Sequence, residues 1–286
     1  MLNDVTFGQY YPTQSFVHRM DPRTKLLALI AYIVLLFVSN NFYALAICAI
    51  LLIAALAASR VPVGRVLRSI KGIIFILIFT AVLNIFFHGG ETKLVNYQVT
   101  DWWTIKITLE GIIFTVFLIL RLFFLVMASS VLTLTTTPVA LTDGIESLLK
   151  PLKYIKFPVH ELALIMSIAL RFIPTLIDET NRIISAQTAR GADFESGNIF
   201  KRIKAIIPIL IPLLISAFRR AEELGDAMDA RCYSGSKNRT KYKKLHFGWR
   251  DLVAFLLIAV LIAGVVLFNI YCWDICPQIY AYIRIS

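Results

Sequence analysis

Arg190 and Arg231 are the residues of this sequence whose setting invites chemistry. Each closes an Ala-x-x-Ala-Arg step: Ala186, Ala189 and Arg190 before Gly191, then Ala227, Ala230 and Arg231 before Cys232. The two steps lie 41 residues apart, each at the end of a long apolar-rich segment. A guanidinium presents several N–H donors in one plane and suits a carboxylate. Small alanines let a helix end approach another backbone closely. Two such tips on one face suggest two docking points for an acidic partner or pair of partners. A plainer reading competes: each arginine merely complements the negative end of its own helix, and Gly191 is the stop.

Arg121 is the other residue of note, in the middle of the apolar run "FTVFLILRLFFLV". A charge at that depth is costly and marks either a functional path or a structural pairing within the bundle. Other chemistry is missing. The sequence has no G-x-x-x-x-G-K-[ST] loop, no H-E-x-x-H and no G-x-S-x-G. His18, His88, His160 and His246 are far apart and show no ligand spacing. Cys48, Cys232, Cys272 and Cys276 make no zinc-type pair of pairs, although Cys272 and Cys276 could face each other on one helix. The sequence thus points to a transporter or scaffold part, not an enzyme, with no cofactor and no metal.

The elements that must carry these residues are membrane elements. The 286 residues are 58% hydrophobic, with mean hydropathy +0.74. That is above the roughly 45–50% apolar content of soluble domains. Residues 1–24 are polar, so no cleavable signal peptide is visible. Apolar runs predict spans at 26–38, 42–58, 72–87, about 109–134 and about 252–271. "SNN" at 39–41 makes a tight turn between the first two. Trp102 and Trp103 suit an interfacial belt. The fold class is therefore an all-α integral membrane protein with about five spans.

Lysines and arginines total 29 against 18 acids, a net charge of +11. Arg19, Arg23, Lys25, Arg60, Arg65, Arg68 and Lys71 collect on one side, which the positive-inside rule makes cytoplasmic. No basic run interleaves with aromatics as nucleic-acid binding would require. Counting spans leaves 135–248 on the cytoplasmic side. Thr137 and Pro138 read as the N-cap and first residue of a short helix there. Two further segments, about 160–188 and 199–230, contain Pro174, Pro208 and Pro212. The second has an apolar run of only 14 residues, short for a span. Lys201, Arg202, Lys204, Arg219 and Arg220 flank it. Both segments are read as amphipathic helices at the cytoplasmic face. The organisation is then a four-span region 1–134, a coupling-helix region 135–248, and a last span with a tail, 249–286.

"HRMDPRTKLL", "TTTP" with "IESLLKPL", "LRFIPTLIDETNRIISAQTARG" and "DAMDARCYSG" occur in that order. Together they resemble the transmembrane T component of energy-coupling factor (ECF) type ABC transporters, the CbiQ-like family that includes cobalt and nickel permeases. The resemblance covers nearly the whole chain. It implies a multi-pass scaffold in a prokaryotic cell membrane. That scaffold joins two ABC-type ATPases to a small substrate-binding membrane protein, the S component, which captures a vitamin or other micronutrient. It implies that Ala189-Arg190-Gly191 and Ala230-Arg231-Cys232 end two coupling helices, and that each arginine enters a groove on an ATPase. Cys232 departs from the family's commoner glycine or serine but stays small. ATP would be used only by the partners. The alternative from another class is a self-contained secondary transporter or ion channel with Arg121 in an ion path, which would show interrupted helices in matched halves.

Overall fold

The computed structural model describes residues 10–39, 42–87, 93–100, 103–192, 199–233, 235 and 246–275. Nine α-helices, a 3-10 helix at Lys150–Ile155 and one hairpin form from them: α1 Pro22–Val38, α2 Phe42–Ser59, α3 Val63–Lys71, α4 Ile74–Phe87, β1 Lys93–Thr100, β2 Trp103–Thr108, α5 Leu109–Thr135, α6 Pro138–Leu149, α7 Val159–Ala189, α8 Ile199–Asp229 and α9 Trp249–Ile275. The all-α class stands, with one small addition. The polar stretch before α5 carries β1 and β2, paired antiparallel with Tyr97 opposite Ile105 and Thr100 opposite Trp103. The Trp102 expectation, the Trp103 side chain and the Cys272–Cys276 pair lie outside the described residues and side chains.

Contacts divide the chain into two compact units, one holding the described residues of 138–244, the other those of 8–137 and 245–286. In the second unit, α2 shows why a run of apolar residues becomes a packed helix. Leu45, Cys48, Leu52, Leu56 and Ser59 recur at three- and four-residue spacing and are all buried. Their face meets α5 and α9, and α1 packs on the same two helices. Leu36, Phe117, Met127, Val131, Leu134 and Val265 complete the core. The outward positions stay apolar, as a lipid surface requires: Phe75, Leu252, Leu256 and Val260 are each more than 60% exposed.

Local signals set the start of α1. Asp21 precedes Pro22, and its carboxylate accepts the Arg23 N–H. Asp21 in turn donates its own N–H to Asp251 Oδ1 at 2.9 Å, and Asp251 Oδ2 accepts the Gly248 N–H at 2.8 Å. One buried carboxylate thus pins the start of α1 to the start of α9. Lys25 Nζ reaches the Thr135 carbonyl at 2.9 Å and ties the same level to the end of α5. The Tyr11 N–H bonds the Leu134 carbonyl, and Arg65 stacks on the Tyr11 ring at 4.2 Å.

Among the described residues, four helices are long and apolar enough to cross a membrane, α2, α5, α7 and α9, and the bent pair α3 and α4 makes a fifth if it counts as one span. The pair is bent by 59°. Its first member is a short basic amphipathic helix, so the apolar run belongs to α4, with Thr80 and Asn84 bonded back onto the helix's own carbonyls. α1 has 17 residues, about 25 Å of helix, less than the ~30 Å hydrocarbon core. α7, expected from Pro174 and its charges to lie on the surface, is long and apolar enough to span.

In the other unit, α6 begins at Pro138 as the sequence suggests. The His160 ring and Glu146 approach to 3.3 Å and link α6 to α7. α7 and α8 have 31 residues each and remain helical through Pro174, Pro208 and Pro212. They pack on each other.

Candidate functional site

Both Ala-Arg steps end their helices in the same geometry. At the end of α7 the Ala192 N–H bonds the Gln187 carbonyl at 3.0 Å, across five residues. At the end of α8 the Tyr233 N–H bonds the Met228 carbonyl at 3.0 Å, again across five. These are the long bonds of a Schellman cap. The motif needs a left-handed residue one place before its donor. Gly191 has φ +86°, and Cys232 has φ +54°. The position after each arginine is therefore the backbone pivot of the cap. Smallness alone does not explain the glycine at the first tip.

The sequence points to Ala189, Arg190, Gly191, Ala230, Arg231 and Cys232, and all six are exposed. Neither the Arg190 nor the Arg231 guanidinium has an acceptor among the described residues. The structure adds a link between the two helices that carry the tips. Arg220 Nη2 on α8 lies 2.8 Å from Glu179 Oε2 on α7. Charged residues within these helices were visible in the sequence, but nothing there pairs these two.

α8 also displays an apolar stripe. Ile206, Ile207, Leu210, Ile211, Leu214, Ile215 and Phe218 follow helical spacing and are 48% to 64% exposed. Among the described residues, nothing covers it.

A family model described as "Cobalt transport protein" (CbiQ) matches residues 13–242, a stretch that includes both arginine tips. A protein of Acidaminococcus fermentans is 50% identical over 274 residues, covering 93% of this chain and 99% of the relative. One of Clostridium kluyveri is 47% identical over 271 residues, 95% and 99% covered. One of Bacillus subtilis is 44% identical over 264 residues, 92% and 97% covered. Each bears the name energy-coupling factor transporter transmembrane protein EcfT. The chain belongs to this family of ECF transporter transmembrane components. It is accordingly a multi-pass membrane protein of a transport system.

In this ECF transmembrane component, Arg121 has a specific task. Its Nη2 donates to the Ser39 carbonyl at 2.8 Å, and its guanidinium lies over the rings of Phe37 and Phe117 at 5.6 and 4.9 Å. Ser39 is the C-cap of α1 and is fully buried. A helix end leaves carbonyls without intrahelical partners, and hydrocarbon offers no water to fill them. Lys25 to Ser39 on α1 and Thr135 back to Arg121 on α5 are both fourteen residues, about 21 Å of rise. The tip of the α1–α2 hairpin thus ends level with the middle of α5. Arg121 supplies the donor that the short hairpin lacks, and Ser39 Oγ and Cys48 Sγ approach to 4.0 Å beside it.

Proposed function

We propose that this ECF component is the membrane scaffold of an ATP-driven importer, coupling hydrolysis by two partner ATPases to uptake of a micronutrient held by an S component. The observation that carries this reading is the pair of matched helix ends. Two exposed arginines, on two identical caps, project from two helices that pack on each other. A plain helix stop needs neither the duplication nor the exposed fork. Two carboxylate-lined grooves on two like subunits would use both.

The rest of the chain fits a scaffold. The sequence has no phosphate-cradling loop, so nucleotide chemistry falls to the partners, and the chain itself is non-catalytic and needs no cofactor. The apolar stripe of α8 offers a second membrane protein a surface of the right chemistry. ATPase closure at the tips then moves α7 and α8 as a rigid body. In this reading α7 lies at the cytoplasmic face despite its length. The surface placement rests on its tip, because Arg190 must share a side with Arg231. Arg121, bonded to a backbone carbonyl, gives the ion-path alternative no support.

The test is a mild-detergent pull-down of the full chain with mass spectrometry. Two nucleotide-binding subunits and one small membrane protein should co-purify. Single cysteines at Thr188 and Asp229, with native cysteines removed, should label from the same cytoplasmic side. Labelling from opposite faces, or nucleotide-free transport by the chain alone in liposomes, overturns the proposal.

A further inference from the structure

A cavity of about 500 Å³ opens where the N-terminal segment, the end of α2 and the start of α9 meet. Arg19, Arg60 and Arg250 line it, with Phe16 and Trp249. Its remaining wall includes Ala57 and Ala58, whose side chains are too small to fill it. Arg60, the residue just past α2, has φ +53°, a left-handed conformation that costs a non-glycine residue energy.

The three guanidiniums are short of partners. None of them forms a salt bridge among the described residues. Arg19 bonds the neutral Gln14 Oε1 at 2.6 Å. The Arg250 guanidinium lies 6.0 and 5.8 Å from the ring centres of Phe16 and Trp249, and no acceptor for it stands among the described residues. Asp251 lies close by, lining an adjoining recess with Arg19 and Arg250. Its two oxygens accept the N–H groups of Asp21 and Gly248, and among the described residues it forms no salt bridge with either arginine. Three clustered cations around an open cavity repel one another unless an anion joins them.

Depth selects the anion. The apolar run of α2 ends at Ala58 and that of α9 begins at Leu252. The arginines therefore sit just outside the hydrocarbon, at the level of headgroups. Trp249, 68% exposed, is a residue type that favours this boundary. Both helix ends lie on the side the lysine and arginine distribution makes cytoplasmic, where anionic lipids concentrate. We propose that this cavity binds the phosphodiester headgroup of an anionic phospholipid, with Arg19, Arg60 and Arg250 as the anion ligands and Trp249 at the acyl boundary. A free phosphate shares the chemistry but has no use for the boundary position.

Native mass spectrometry of the full chain, titrated with phosphatidylglycerol, phosphatidylcholine or inorganic phosphate, tests the site. Phosphatidylglycerol should be retained, phosphatidylcholine should not, and millimolar phosphate should fail to displace the bound lipid. Changing Arg19, Arg60 and Arg250 together to Gln should weaken retention at least about tenfold, and each single change should weaken it part-way, so the result does not hang on the folding of the triple variant. Arg68→Gln with Lys71→Gln removes exposed charge from the same side without touching the cavity and should leave retention within about twofold, since diffuse surface charge is screened. Equal loss in that control, full retention by the Arg-to-Gln variants, or displacement by phosphate overturns the proposal.

Discussion

Arg220 on α8 and Glu179 on α7 pair at 2.8 Å, and each lies eleven residues before the arginine that ends its own helix. Eleven residues of helix rise about 16 Å. Arg231 and Arg190 therefore stand at equal reach beyond one shared crossing. The crossing sets the geometry of the two tips, so a change there should be felt at both.

Glu179→Arg should splay the tips and reduce ATPase retention, while the swap Glu179→Arg with Arg220→Glu should restore it. Both partners are about 30% exposed, so a coupling of about 0.5–1 kcal/mol is expected. A double-mutant cycle on the ATPase-to-membrane-subunit ratio measures it. Retention that ignores the sign of the pair would separate the crossing from docking.

Arg190→Ala or Arg231→Ala alone should weaken transport with part of the complex surviving. Exposed arginines contribute little to their own chain's stability, but removing one partner of a buried charge pair in a groove costs about 2–5 kcal/mol. Once either tip is seated, the other binds as an intramolecular event. The double change should release the ATPases and abolish ATP-driven uptake while the membrane protein inserts at normal levels. A double variant that keeps its ATPases would reduce both motifs to ordinary helix ends.

The caps give a prediction of opposite sign at two matched positions. Gly191→Ala introduces a Cβ that meets nothing within 4 Å, so its cost comes from φ alone, about 1 kcal/mol. Cys232→Gly relieves the same strain at the second tip and should stabilise it by up to about 1 kcal/mol. Hydrogen exchange at the Ala192 and Tyr233 amides reads each cap directly. Faster exchange at Ala192 in the first variant and slower at Tyr233 in the second are expected.

Arg121→Met keeps much of the stem and removes the donor. The Ser39 carbonyl is then left buried and unfilled, a loss of about 1–3 kcal/mol. A lower melting temperature in detergent is expected, with Arg121→Lys intermediate because it restores a donor without the planar stacking on Phe37 and Phe117. Unchanged stability together with altered ion flux would instead place Arg121 in a conduction path.

Hydropathy and local capping alone specify the all-helical membrane class, the start of α5 at Leu109, the start of α6 at Pro138 and the two helix ends that carry Arg190 and Arg231, whereas α1 begins at Pro22, four residues before its apolar run. These follow from hydropathy, periodicity and capping, which act within a few residues and can be read along one segment. The hairpin of β1 and β2 was legible but passed over: Val95, Tyr97 and Val99, then Trp103, Ile105 and Ile107, alternate with polar residues as strands do, a pattern that apolar run length does not register. What only the tertiary structure decided lies between distant residues. Arg121 meets Ser39 82 residues away, Asp251 meets Asp21 across 230, and Arg220 meets Glu179 across 41. The cavity of Arg19, Arg60 and Arg250 likewise draws on three separate elements. A charge in an apolar run announces that it needs a partner, but which carbonyl or carboxylate supplies one depends on how the helices pack, and packing is a property of the whole fold.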